Sequence, residues 1–200
     1  MTAQKESVVT PERLAQGISY KEWAEQIDRN QEKFQFNYDA MELNAEDVAA
    51  IKATMSKPNG PKTVLALGEA WCPDVVRGLP VLGKLCEATG LDLKIFFRDQ
   101  NLDIMNEFLY KGEFQSIPTV VFYSEGMDQL GVWHERAQKA RDEMPQLSEI
   151  TAKMRNQDLS EEERKRYMEQ YEAFQQGPVW AGWRDAEVSE IRALLESATK

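Results

Sequence analysis

The chain predicts an α/β protein, a central mixed β-sheet flanked by helices, with added helical segments at its N- and C-terminal ends. Three observations carry that prediction. Over residues 63–97 a short apolar run, a helical stripe and an alternating run follow one another, and the order strand, helix, strand implies a crossover with parallel pairing. Two more strand-like runs, parted by Ser124-Glu125-Gly126-Met127-Asp128, predict an antiparallel hairpin. At both ends apolar residues recur at helical spacing.

Taken in order, Tyr20, Trp23, Ile27 and Phe34 place one amphipathic helix over about 20–36. Asn44, with Asp47 three residues on, opens a second helix carrying Val48, Ile51 and Met55 on one face, and Pro58-Asn59-Gly60-Pro61 stops it. Thr63-Val64-Leu65-Ala66-Leu67-Gly68 then reads as a strand covered on both faces. Leu79, Leu82, Leu85 and Cys86 share a helical face up to Gly90, and Leu91 to Phe97 alternate like a strand. Leu102, Met105 and Leu109 predict a further helix. The hairpin follows from Ile117 to Tyr123 and from Gln129 to Trp133. Beyond His134 the chain is polar and helical, with a capping box at Ser160-Glu161-Glu162-Glu163, a Tyr167/Tyr171/Phe174 stripe, an interruption at Gly177-Pro178 and a last helix through Val188, Ile191 and Leu195. The resulting division is an N-terminal helical extension, 1–59, a core domain, 60–145, and a C-terminal helical extension, 146–200. The apolar stripes of the extensions need partners, which predicts a homodimer where the core does not cover them.

Composition removes several classes of function. Hydrophobic residues make up 42% of the 200 positions, enough for a core. With 24 Lys and Arg against 34 Asp and Glu the net charge is −10, and the excess of acid extends over all three segments. Such a surface repels phosphate backbones and anionic lipid, so neither nucleic acid nor a membrane is an expected partner. The N-terminus lacks the apolar run of a secretory signal and no stretch is long enough to span a bilayer, which predicts a cytoplasmic protein. Cys72, Cys86 and the single His134 are too few for a disulfide framework or a zinc site. No glycine motif cradles a phosphate, so no nucleotide cofactor is expected.

Chemistry concentrates at Glu69-Ala70-Trp71-Cys72-Pro73-Asp74-Val75-Val76-Arg77, where a cysteine falls between a buried strand and a helix. Free N–H groups and the helix dipole at such a junction stabilise a thiolate. Glu69 and Asp74 push the other way, Arg77 offsets them, and the sequence leaves the balance open. Glu69 and Asp74 read first as a solvated loop acid and a helix-capping residue, ahead of acid–base catalysts. Cys86 lies 14 residues down the same helix, about 21 Å away at the helical rise, too far for a disulfide, and its place on the Leu79/Leu82 stripe predicts a small core residue. His134 follows a strand end with no partner in view, and Trp180 and Trp183 read as packing anchors.

Trp71-Cys72-Pro73-Asp74 after a strand, the strand-helix-strand order, and Ser116-Ile117-Pro118-Thr119 before a hairpin together resemble the thioredoxin superfamily over about 60–145. The longer pattern, with Leu79-Pro80-Val81-Leu82 and Arg98-Asp99-Gln100-Asn101-Leu102, is similar to a bacterial branch of thioredoxin-like proteins that often lacks the second cysteine. The resemblance implies a thioredoxin-like fold, a cis peptide bond before Pro118, and a substrate groove formed by Trp71, Pro73, Ile117 and Pro118. It implies Cys72 as the redox thiol; the chain's own Glu69, Asp74 and Arg77 are the nearby residues for proton transfer or tuning.

Two departures narrow the expectation. Val75 stands where the family has its resolving cysteine, and Ala66 where it has a buried aspartate. The chain is therefore expected to act as a monothiol thiol–disulfide oxidoreductase on a protein or small-molecule disulfide, with no bound cofactor. Glutathione or another low-molecular-weight thiol then serves as co-substrate and resolves the mixed disulfide. A non-catalytic binding module of the same fold, or a redox sensor, remains open beside it.

Overall fold

The computed structural model describes residues 7–199. After a single turn, α1 (Pro11–Leu14), come α2 (Tyr20–Gln26), α3 (Gln31–Asp39) and α4 (Ala45–Met55). Then follow β1 (Pro61–Gly68), α5 (Pro73–Thr89), β2 (Asp92–Phe97), a 3-10 turn (Arg98–Gln100), α6 (Leu102–Met105), β3 (Thr119–Ser124) and β4 (Gln129–His134). Three helices close the chain, α7 (Gln138–Met154), α8 (Glu161–Gln176) and α9 (Pro178–Ala198).

The strands lie in the order β2-β1-β3-β4, with β1 parallel to β2 and antiparallel to β3, and β3 antiparallel to β4. This is the mixed sheet flanked by helices, with extra helices at both ends, that the sequence predicts. β1 and β3 occupy the centre because they carry continuous apolar runs: Val64, Leu65, Ala66, Leu67, Val120, Val121 and Phe122 are all buried. α5 packs Leu79, Leu82 and Leu85 into the same core and ends at Gly90, whose φ of 89° reverses the chain in the left-handed region that glycine adopts freely. Close packing at the sheet end leaves no room for a side chain at residue 68, where a Cβ would come within 2.9 Å of Val75 Cγ1.

Some predicted elements differ. The single helix expected over 20–36 is two, α2 and α3, because Ile27 takes an extended conformation and Asn30 a left-handed one, φ 59°. A tertiary bond holds the break: Asn30 Nδ2 donates to the carbonyl of Ala70 at 2.7 Å, and Gln31 Nε2 bonds the Ile27 carbonyl at 2.8 Å. The helix expected through Leu109 is only the turn α6, since the chain leaves helical geometry for a bridge between Tyr110 and Phe114, with Lys111 and Gly112 at positive φ. β3 begins at Thr119, because Pro118 has no N–H to place in the ladder. Asn44 caps α4 through the N–H of Glu46, and Ser160 and Glu163 form the reciprocal capping box of α8.

The chain forms two compact units. The first comprises Met1–Glu135 and Val188–Lys200, so the N-terminal helices and the last turns of α9 belong with the sheet. Here Val188, Ile191 and Leu195 join the main core, Arg192 pairs with Asp47 at 3.0 Å, and Trp133 Nε1 donates to Glu190 at 3.2 Å. The second, Arg136–Glu187, has its own core of Ala140, Leu147, Trp180 and Trp183, with Tyr171 and Phe174 against it. Trp183 Nε1 donates to Glu143 at 2.7 Å.

Candidate functional site

Cys72 is the N-cap residue of α5, with extended backbone (φ −84°, ψ 122°) and a residue exposure of 8%. A tight turn delivers it: its N–H donates to the Glu69 carbonyl at 3.1 Å, and its own carbonyl accepts from Val76 at 3.0 Å. Pro73 fits the first helical position, which needs no N–H. The Cys72 thiol donates to the carbonyl of Ile117 at 3.6 Å, and the Ile117–Pro118 peptide bond is cis. The strand-helix junction and the start of β3 thus meet at one sulfur atom.

Burial pushes the Cys72 thiol above its ordinary value. The backbone N–H groups of Val75 and Asp74 at the start of α5 pull it down, while the carboxylates of Asp74 and Glu135 push it up. The helix N-terminus alone would favour the thiolate, but desolvation of a nearly enclosed sulfur outweighs it, so the resting group is the thiol. Val75, three residues after Cys72, is fully buried beside Gly68.

Around the sulfur the predicted residues divide into two groups. On one side the exposed Trp71 is held by its Nε1–H to Asp99 Oδ2 at 3.3 Å, and the Arg98 guanidinium lies 5.4 Å from its ring centroid. The Glu69 carboxylate also serves this side. Its Oε1 accepts the N–H of Asp99 at 2.8 Å, so it steadies the turn that carries Arg98 and Asp99. Burial pushes the Glu69 carboxyl up, against the pull of the Asp99 N–H. On the other side the buried Arg77 bonds Asp74 Oδ1 at 2.9 Å and the carbonyl of Glu135 at 3.3 Å. Glu135 in turn donates its N–H to the Pro118 carbonyl at 2.7 Å and sits at φ 63°. A closed ring of contacts therefore runs from Cys72 through Ile117, Pro118, Glu135, Arg77 and Asp74 back to the start of α5.

Glu135 and Asn30 were not readable as site residues. Glu135 follows a strand end and Asn30 lies 40 residues before the carbonyl it bonds, so both depend on long-range pairing that leaves no local signature. Cys86 is buried in the core, and burial pushes its thiol up. His134 Nε2 bonds the Phe108 carbonyl at 2.8 Å, which ties β4 to the segment before the Tyr110 turn. A separate cleft of about 710 Å³, lined in part by Tyr20, Tyr38, Glu87 and Asp92, contains neither Cys72 nor any residue bonded to it. Among the described residues no group of three or more His, Cys, Asp or Glu could hold a metal ion, and no helix is long and apolar enough to cross a membrane.

Comparison with known proteins gives a family and a fold. The family model described as thioredoxin matches residues 17–153. No curated protein matches. A crystal structure of a protein of unknown function from Pseudomonas aeruginosa is similar with a TM-score of 0.66 at 15% identity, covering 95% of this chain and 99% of its own. An HIV epitope-scaffold protein is similar with a TM-score of 0.62 at 17% identity, covering 94% and 99%.

Proposed function

The chain belongs to the thioredoxin family, and from that premise we propose that it is a monothiol thiol–disulfide exchange protein acting through Cys72. The observation that carries this reading is the convergence of the Cys72 sulfur, the α5 N-terminus and the Ile117 carbonyl within one contact. The thiol loses its proton to solvent, and the thiolate attacks one sulfur of a disulfide R–S–S–R′. That step forms Cys72–S–S–R and releases R′S⁻. Val75 cannot expel R, so a second, external low-molecular-weight thiol attacks the mixed disulfide, returns Cys72 as thiolate and leaves with R in a new disulfide. Trp71, Pro73, Ile117 and Pro118 bound the approach to sulfur. The reaction is assigned to a reducing, cytoplasmic setting, in keeping with a chain whose two cysteines are too few for a disulfide framework.

One observation favours a second reading. A thiol raised by burial is a poor nucleophile at neutral pH, and a family fold that binds extended peptide without turnover would carry such a group. Alkylation of Cys72 against pH, in a Cys86→Ala background with Cys72→Ser as blank, separates the two. Exchange chemistry predicts measurable labelling whose rate climbs about tenfold per pH unit toward a midpoint above that of a free thiol, with turnover of a model disulfide following the same curve. Labelling without turnover at any pH would leave the binding module.

A further inference from the structure

The cleft of about 710 Å³ on the first unit lies between α2, α3, α5 and the start of β2, and takes no part in the Cys72 site. Its wall is aromatic. The Tyr20 ring stacks on Tyr38, with centroids 5.3 Å apart and planes 11° from parallel. The same ring lies against α5 at Gly83, where a Cβ would come within 2.7 Å of Tyr20 Cγ. Glycine weakens a helix interior, and its place in the middle of α5 is accounted for by the ring it admits. Leu91 and Leu93, both buried, add apolar surface to the lining.

Polar groups around this wall are left open. Tyr20 is half-buried, and its hydroxyl makes no hydrogen bond among the described residues. Glu25 of α2 has no hydrogen-bond or ion-pair partner among them either. Glu87 of α5 accepts the Tyr38 hydroxyl through Oε2, which orients the carboxylate and leaves its Oε1 to the cleft. The nearby cations are mostly engaged elsewhere: Lys94 pairs with Asp92 at 3.0 Å, and Lys84 Nζ donates to the Tyr38 carbonyl at 2.9 Å. Lys21 is the single cation in the described lining, against the carboxylates of Glu25, Glu87 and Asp92.

We infer that this cleft binds a small organic cation, a primary amine carrying an apolar or aromatic body. An ammonium brings one positive charge and three donors, and Glu25, Glu87 and the Tyr20 hydroxyl are acceptors for them. Charges at a protein-walled cleft are screened less than on an open surface, so the excess of carboxylate attracts a cation and repels an anion. The body of the amine covers Leu91, Leu93 and the tyrosine wall, in a volume of the size that holds small molecules. Nothing in this site depends on thiol exchange, and Cys72→Ser should bind the amine as wild type does.

The test titrates the full chain near pH 7 with phenethylammonium, and with the neutral phenethyl alcohol and the anionic hydrocinnamate as isosteres. Calorimetry gives the affinity, and the amide NMR signals of Ala24 and Gly83 locate it. Expected is saturable binding of the cation with a Kd of about 1 mM or tighter. The alcohol should bind about fivefold or more weakly and the anion not measurably, and the difference should shrink near about 0.5 M salt. Glu25→Gln together with Glu87→Gln should erase the preference for cation over alcohol, since glutamine at 87 still accepts the Tyr38 hydroxyl. Glu161→Gln, which removes the same charge from α8, should leave it unchanged. Gly83→Ala should weaken all binding by displacing Tyr20, and where that variant does not fold the glutamine pair decides. No saturation at Ala24 and Gly83 up to about 20 mM amine, equal affinity for cation and alcohol, or a preference that survives the glutamine pair overturns the inference. Tighter binding of acetyl-lysine methylamide than of phenethylammonium also overturns it, by giving the cleft to a peptide side chain.

Discussion

At Cys72 two properties of one position oppose each other. The cap of α5 offers N–H groups and a dipole worth about 0.3–1 kcal/mol to a negative sulfur, while enclosure under Ile117 removes the water that a thiolate needs. Enclosure wins here, and the motif alone leaves that sign open because it does not show how deeply the sulfur is covered. Val75 is the second decisive residue of the site. If Cys72 exchanges as proposed, Val75→Cys should give the site a second thiol: Cys72 and the new thiol, N-cap and third helical residue, would join under mild oxidant, and a trapped mixed disulfide would be released without external thiol. Its cost should be about 1 kcal/mol for buried methyl groups lost from a closed niche. Mass analysis of the oxidised protein reads the outcome, and a mixed disulfide that persists in the variant would show the two sulfurs held apart. Glu135 carries the opposite lesson about stability. Glu135→Gly should raise the urea midpoint, by up to roughly 1 kcal/mol in free energy, because the left-handed position loses its strain and keeps both backbone bonds.

Between residue and molecule, the elements reveal where sequence periodicity suffices and where it does not. β1, α5, β2 and the β3-β4 hairpin were legible because each is specified by its own apolar pattern and bounded by its own caps, Gly90 and the Ser124–Asp128 turn among them. The position of Cys72 was legible by the same route, since a strand-helix junction is a local feature, whereas the cis bond before Pro118 was expected only from the resemblance. The break between α2 and α3 was not, for Phe34 continues the spacing of Trp23 and Ile27 and only the bond from Asn30 to Ala70 interrupts it. That bond joins an N-terminal segment to the residue before Trp71, so the early helices brace the site turn. Asn30→Ala should lose about 1–2 kcal/mol, as both the hydrogen bond and the residue suited to positive φ disappear. Asn30→Gly keeps the backbone conformation and loses only the bond, so it should fall between wild type and alanine in a urea melt. Equal stability of all three proteins would mean that solvent replaces the bond.

At the scale of the whole molecule, the first unit keeps several weak acids protonated. Burial pushes up Cys72, Cys86, Tyr20 and Tyr123, and a hydrogen bond to Glu87, with burial second, holds Tyr38 up at about 12. A group whose proton is bound more tightly in the fold contributes stability that is complete below its unfolded value and is lost as pH rises toward its folded value. Unfolded thiols release protons near about 8.5 and phenols near about 10. Thermal stability should therefore be flat from neutral pH to about 8.5, decline through the thiol range, and decline more steeply beyond about 10 as the tyrosines join. The net charge of −10 also becomes more negative over this range, and its self-repulsion would steepen any decline without reference to particular residues. Differences between variants separate the causes. Cys72→Ser with Cys86→Ala should flatten the decline between about 8.5 and 10 and leave the steeper part, while Tyr123→Phe should blunt only the latter. General repulsion would instead move all the curves in parallel, and that result would remove the buried acids from the account.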